Sequence, residues 1–445
     1  MATEKLQAAL PDKVFLENTK EYDSFSQSYW YRSSRQKPLC VVSPTSATDV
    51  STAVKILAET AGVRFAIWSG GHSPHPNISN TDEGVTIDLR GLNSITKSAE
   101  KEHVVYKVLG KENRTAVGSR GAGVGVGGFL LGGGLSHFAP ELGFACDQIV
   151  NMEVVLASGD VIEVYQSNHA DFFCVWKGTG SKFGVVTRID IATIPHHSIW
   201  GGSIMYPYDT KDANLNAFLD LKKAHCYEPL AQIELSFLYA PQMGGHFIAN
   251  SHWYSRPIEY PELFQRFDKI SPQLNSTMRL DTIQAFKMEL ATFATTTFQI
   301  NPTILPRITS LWEETSKTLS MAKNIVSVVT YQPCSPLPKN SSNAMGFPAN
   351  STPHEDLIIL ALTIFWENVE DSNSVNEETE ALIERIEEIA KEEGVYHPFQ
   401  YVNYAAPWQN PIKSYGEESN LAIRKVSKKY DPKGFFEAHC EGFKL

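Results

Sequence analysis

Residues Trp68-Ser69-Gly70-Gly71-His72-Ser73 set a ring-nitrogen nucleophile directly after two glycines. The glycines let the backbone turn sharply and bring its N–H groups close to an anion such as a pyrophosphate. A histidine just after that turn points at whatever the anion belongs to. Most nucleotide-binding loops carry no nucleophile there, so His72 suggests a cofactor bonded covalently to the protein.

A second segment, Gly121 to Gly134, holds eight glycines in fourteen residues, interleaved with Val124, Val126, Phe129, Leu130 and Leu131. A flexible linker would be polar and Gly/Ser-rich. This composition fits backbone packed closely against a large flat ligand. Gly123, Gly125 and Gly128 also match GxGxxG, but no clear strand precedes them and a glycine triplet follows. A nicotinamide-dinucleotide site of the Rossmann type is the alternative reading.

The elements that must position these groups are legible around them. Leu39 to Val42 and Val63 to Ile67 read as strands. Between them, Ser46-Ala47-Thr48-Asp49 is a capping box that opens a helix to about Thr60. This is a βαβ unit with the Gly-Gly-His turn at the strand's far end, where open α/β sheets place ligands. Gly84 to Leu89 is a further β-type run. Val150 to Leu156 and Val161 to Tyr165 flank the turn Ala157-Ser158-Gly159-Asp160 and predict a hairpin. Phe183 to Ile194 is β-rich, and Pro195-His196-His197 marks a boundary. Beyond it, strand-like runs at Ile233 to Tyr239, His246 to Trp253, Ile325 to Tyr331 and Leu357 to Trp366 alternate with helical ones. The helical runs are Asp212 to Ala224 and Thr379 to Glu393. This pattern predicts an antiparallel sheet with helices on one face. The acidic stretch Glu377 to Glu393 reads as a solvated helix face.

The chain of 445 residues has room for two domains or one composite one. Its net charge of −11 has the wrong sign for attraction to nucleic acid or an anionic membrane. No apolar run reaches the length of a membrane span, and residues 1–20 lack the apolar core of a signal peptide, which predicts an intracellular protein. Six scattered cysteines, with no CxxC spacing, read as buried thiols and not as a metal site.

Seven segments, taken in order, resemble the FAD-linked oxidases of the vanillyl-alcohol-oxidase type. The likeness is to the berberine-bridge-enzyme-like branch, and within it to fungal 6-hydroxy-D-nicotine-oxidase-like members. The segments are residues 69–73, 88–93, 125–134, 143–147, 176–186, 401–404 and 430–436. The resemblance implies an α+β protein. A PCMH-type FAD-binding domain would be split between residues 1–197 and a returning tail, 399–445. A substrate domain with an antiparallel sheet covered by helices would occupy 198–398. It further implies FAD linked through His72. Ser69, Gly70, Gly71, Ser73, Gly127, Gly128, Gly132, Gly133 and Gly134 would hold the pyrophosphate and ribityl chain. Asp147, Gly184 and Val186 would line the adenine end, and Asn403 would touch the flavin. Tyr401, in the family's Tyr-x-Asn motif, becomes the candidate base beside Asn403. Val124 matches the position that admits oxygen to the flavin.

The chain departs from that family in four places. Gly121 stands where members with two covalent links carry cysteine, so a single link is expected. The stretch from Lys101 to Gly118 is short. Trp68 replaces the usual arginine before Ser-Gly-Gly-His, which removes a cation near the cofactor. Leu357 to Trp366 is almost wholly apolar, and Leu135 replaces a tyrosine, so an oily site is expected. Glu234, Ser236, His252, Tyr254, Tyr331 and Gln332 are candidates to line it. The expected activity is oxidation of a hydrophobic secondary metabolite, with hydride passing to FAD and molecular oxygen as acceptor. The alternatives are a redox-neutral cyclase or isomerase of Diels–Alder type, acting by orientation, and a binding protein without turnover.

Overall fold

The capping box after Val42 folds as its spacing predicts. The Ser46 side chain accepts from the Asp49 N–H, the Asp49 carboxylate returns to the Ser46 N–H, and the helix runs Ala47–Ala58. It connects two strands of a four-stranded sheet: β1 (Val14–Leu16), β2 (Cys40–Val42), β3 (Phe65–Trp68) and β4 (Val85–Asp88). The order is β1-β2-β4-β3, with β2 and β3 each parallel to β4. The βαβ unit is therefore split, because β4 is threaded between the two strands that the helix joins. The Gly-Gly-His turn leaves the end of β3. The computed structural model describes residues 2–95, 109, 113–121, 123–195, 198–223, 228–281, 292–334, 343–347 and 357–445. The short stretch before Gly118 and the His196-His197 boundary lie largely or wholly outside them.

Next come β5 (Arg114–Ala116), β6 (Ile149–Val155), β7 (Val161–Tyr165), β8 (Val185–Ile191) and β9 (Thr193–Pro195). β6 lies between β7 and β8, and β5 pairs with β9. The β6–β7 hairpin closes with Leu156 N–H donating to the Asp160 carbonyl at 2.9 Å, and Gly159 takes the positive φ that the turn needs.

Among the described residues, the remaining strands form one nine-stranded sheet. They are β10 (Ile199–Pro207), β11 (Ala231–Ala240), β12 (Gly245–Tyr254), β13 (Asn275–Ser276), β14 (Arg279–Asp281), β15 (Thr292–Gln299), β16 (Val326–Pro333), β17 (Leu357–Phe365) and β18 (Tyr396–His397). All the pairings in it are antiparallel. Helices Lys211–Lys223, Ile304–Leu319 and Ser372–Glu392 belong with it. The third buries Val375, Leu382, Ile383, Ile386 and Ala390 and leaves most of its acidic side chains toward water. These apolar residues share a core with Leu235, Phe237, Val329 and Tyr331. Strand alternation then sends Glu234, Thr330 and Gln332 to the opposite face.

The tail returns to the first sheet. Phe435 and Phe436 pack on Phe65 with ring centroids 5.1 and 5.7 Å away, and the Glu441 N–H donates to the Phe65 carbonyl at 2.8 Å. Among the described residues, Cys40, Cys146 and Cys440 are free thiols, no cluster suits a metal ion, and no helix is long and apolar enough to cross a membrane.

Trp68, which stands where an arginine was expected, packs into an aromatic cluster. Its ring is buried, stacked on Tyr29 at 4.9 Å and edge-on to Phe25 at 4.7 Å. The Arg90 guanidinium lies 3.5 Å from the ring centroid and is also held by Asp88 at 2.8 Å. A Cβ on Gly71 (φ +63°) would overlap the Trp68 indole. The tryptophan is thus the buttress behind the turn, and only glycine fits against it. Trp68→Ala should cost about 3–5 kcal/mol, the range for emptying a large aromatic site. Urea unfolding checks this, and a loss under 1 kcal/mol would contradict the buttress role.

Candidate active site

The turn and the glycine run meet backbone to backbone. A Cβ on Gly70 would overlap the Gly125 backbone, and one on Gly125 would come within 2.5 Å of the Gly70 nitrogen. A Cβ on Gly127 would approach the Ser69 hydroxyl to 2.9 Å. This contact forms one side of a cavity of about 740 Å³, in the range of small-molecule and cofactor sites. The segment from Thr179 into β8, the free face of the large sheet, and the tail at 401–405 and 440–443 complete it.

Twelve of the residues expected at the site line this cavity: Ser69, Gly70, Gly71, His72, Ser73, Val124, Gly127, Gly128, Gly132, Val186, Tyr401 and Asn403. The His72 ring is stacked on Trp30 at 5.5 Å and meets Tyr31 edge-on at 5.8 Å. Asn403 sits over Gly132, where a Cβ would overlap its amide, and donates to the Phe129 carbonyl at 3.1 Å. Four expected residues are elsewhere. Gly133 packs against Met345, Gly134 against Ala145, and Gly184 against the Val155 carbonyl, while Asp147 accepts from Asn343 at 3.0 Å. The three glycines are close-packing positions, which glycine spacing alone does not separate from the cavity wall itself.

The six candidates on the sheet divide by strand alternation. Glu234 and Gln332 line the cavity. Tyr331 points to the helices and shares a 2.9 Å hydrogen bond with Thr309. His252 is stacked on Phe264 at 4.6 Å, and burial pushes its pKa down to about 3. Ser236 bonds Thr330, and Tyr254 lies on β12, two strands from β16.

The expected oily wall is true of β17 but not of the whole site. Arg120, which the sequence reading passed over, is buried at its centre. Its Nη1 pairs with Glu234 at 2.5 Å, and its Nη2 donates to Gln332 Oε1 at 2.8 Å and to the Tyr404 hydroxyl at 2.7 Å. Gln232, its amide oxygen turned toward Arg120, accepts from Nη1 at 2.6 Å. Burial opposes the guanidinium charge, but Glu234, Tyr404 and Tyr401 outweigh it and raise the pKa. Burial pushes the Glu234 carboxyl up, and Arg120 draws it only partly back.

Two tyrosines face each other edge-on here, with centroids 4.8 Å apart. The Tyr401 hydroxyl accepts from the Leu135 N–H at 2.9 Å and from Asn403 at 3.1 Å. The Tyr404 hydroxyl accepts from Arg120 and, at 3.4 Å, from Gln332. Burial raises both pKa values, and Arg120 works against the rise in each. Only Tyr404 touches the cation. Its signal lay in the motif Tyr401-Val402-Asn403-Tyr404, where the second tyrosine was not weighed.

The cavity fits FAD on its own geometry. Its glycine side is flat, and a Cβ on Gly128 or Gly180 would meet no atom within 4 Å, so both face open space. Gly121 lines the cavity and offers no sulfur, and the His72 ring lines it as well. Gly128→Leu should fold at least as stably as the parent, gaining up to about 1 kcal/mol of helix propensity, yet hold far less flavin. Gly70→Ala should lose flavin and stability together. Melting temperature and the visible spectrum of each purified variant separate the two, and full flavin loading of Gly128→Leu would contradict the placement.

Comparison with known proteins agrees with this geometry. A model of the FAD binding domain matches residues 38–165. An FAD-dependent monooxygenase of Aspergillus calidoustus, drtC, is 31% identical over 99% of this chain and 89% of its own length. The fold is similar to that of 6-hydroxy-D-nicotine oxidase from Arthrobacter nicotinovorans, with a TM-score of 0.77 at 19% identity, covering 96% of each chain. It is equally similar, at a TM-score of 0.77 and 16% identity, to glucooligosaccharide oxidase from Acremonium strictum, whose FAD is described as 6-S-cysteinyl, 8α-N1-histidyl. The coverage is 100% of this chain and 98% of that one. The chain belongs to the FAD-linked oxidoreductases typified by its fungal relative, built on the PCMH-type fold of the berberine-bridge-enzyme-like oxidases.

Proposed function

We propose that the protein is an FAD-dependent oxidase that dehydrogenates a largely hydrophobic secondary metabolite at a carbon activated by a hydroxyl group. Residues 1–197 with 399–445 hold the cofactor in this reading, and 198–398 present the substrate. The observation that carries it is the Tyr404 hydroxyl, 2.7 Å from a buried guanidinium on the cavity wall. FAD, when bound, would supply the hydride acceptor, with molecular oxygen as the final acceptor, reduced to peroxide. Tyr404, ionised as the phenolate beside the Arg120 guanidinium that stabilises it, receives the substrate's hydroxyl proton and becomes the neutral phenol. Tyr401 and Asn403 hold the Tyr404 ring and the Gly132 backbone in register. Phe293, stacked on Tyr404 at 5.2 Å, and Ala361 supply apolar surface for the substrate. Val124 leaves oxygen a way in, and His72 forms the single covalent link. A wall that moves protons favours redox chemistry over cyclisation by orientation alone.

The proton-transfer assignment has a definite sign. Burial raises the Tyr404 pKa, so activity should climb with pH toward the tyrosine's ionisation. Glu234 also raises it, so Glu234→Gln should move the climb to lower pH. Tyr404→Phe should lower kcat by about 10²–10⁴-fold, and Tyr401→Phe by less; the opposite order would return the role to Tyr401. A climb that Glu234→Gln leaves in place would detach the pair from Tyr404.

The function itself is tested by the products. The substrate should lose two hydrogens while one equivalent of peroxide forms, and air should be required. The relative from Aspergillus calidoustus is named a monooxygenase, and incorporation of oxygen-18 from labelled oxygen would move this chain to that reaction. Flavin should stay with the acid-precipitated wild-type protein and leave the His72→Ala variant. Release from both would refute the covalent link.

A further inference from the structure

Among the described residues, three lysine or arginine side chains line the cavity: Arg120, Lys182 and Arg188. Two are neutralised by the protein itself. Arg120 is paired with Glu234, and Arg188 spans Glu163 and Asp190. Lys182 is not. It is 3% exposed, and its Nζ has no hydrogen-bond partner among the described residues. Glu437 and Glu441 act on it through space without forming an ion pair, and Glu441 is engaged by Arg64 at 3.3 Å and Thr81 at 3.0 Å. Burial pushes the ammonium pKa down. A buried ammonium without a counter-charge is costly, and proteins seldom keep one that nothing visits.

Its position says what visits it. Lys182 follows Gly178 and Gly180, whose N–H groups both donate to the Leu131 carbonyl, next to Gly132 beneath Asn403. It precedes β8, whose Val186 lines the cavity further along. The Nζ stands 3.7 Å from where Gly442 would carry a Cβ, and the Gly442 N–H donates to Asn77 on the loop that follows the Gly-Gly-His turn. The ammonium therefore faces the stretch between the Asn403 end and the β8 end, beside the anion-binding turn.

We propose that Lys182 is the counter-charge of the dinucleotide diphosphate: its Nζ donates to a phosphate oxygen of FAD, and the site is left with an uncompensated cation until that group arrives. This rests on the cavity being the FAD site, and the measurement keeps the two ideas apart. Full-length protein and Lys182→Met, both carrying His72→Ala and stripped of flavin, are titrated with FAD, ADP and riboflavin. Lys182→Met should weaken FAD and ADP by about tenfold or more, as expected for a lost charge-assisted hydrogen bond. Riboflavin, which has no phosphate, should bind both proteins alike. Raised salt should weaken ADP binding to the parent more than to the variant. Without ligand, Lys182→Met should melt no lower than the parent, since it removes an unpaired buried charge, and Lys182→Arg should recover much of the ADP binding. Equal ADP affinity for parent and Lys182→Met overturns the proposal. So does a parallel loss of riboflavin binding, which marks a merely structural residue. A parent that binds neither FAD nor ADP overturns the cofactor reading beneath it.

Discussion

Everything at the site depends on two backbones touching. Gly70 and Gly125 lie so close that neither tolerates a methyl group. The contact sets the distance between the turn after β3 and the glycine run, and that distance defines one wall of the cavity. Trp68 fixes the turn from behind by lying against Gly71, while Trp30 and Tyr31 fix His72 from the side. The usual trade for glycine is conformational entropy in the unfolded chain. Here the return is a wall in which two backbones can touch and glycines such as Gly128 leave open space beside them.

The opposite wall is organised around one guanidinium. Arg120 comes from the segment leading into the glycine run, Glu234 and Gln332 from the sheet, and Tyr404 from the tail. A single buried cation thus ties together three stretches that are remote in sequence. Removing one partner would strand a charge in a dry setting, which typically costs about 3–5 kcal/mol, so the network holds the wall rigid as well as polar.

The parts of this fold that were readable in advance are those written in local chemistry. The capping box at Ser46, the hairpin at Gly159 and the Gly-Gly-His turn each need particular residues at particular offsets, and each is present where expected. Facing was not readable. Tyr331 and Gln332 are neighbours in sequence and sit on opposite sides of β16, and nothing in the string says which side holds the cavity. One apolar strand, β17, does not make an oily site, because the polar groups come from β11, β16 and a loop. Arg120 was missed for the same reason: an arginine before a glycine run has no periodicity to mark its burial. Trp68 takes its place from Phe25 and Tyr29, aromatic partners about forty residues earlier whose packing no local spacing announces.

The returning tail has a consequence for how the molecule is made. Thr81 and Glu441 are bonded across 360 residues of sequence, and residues 440–443 form part of the cavity wall. On the ribosome, the turn, the glycine run and the whole nine-stranded sheet emerge before that last wall exists. Chains fold broadly in the order of synthesis, and contacts this distant form late. The large sheet, whose partners lie within 199–397, is free to assemble first, while the first sheet's side of the cavity waits for residues 440–443. A complete cavity then exists only once residues 440–443 have been made, and their removal would be felt at the first sheet, some 360 residues earlier in the chain.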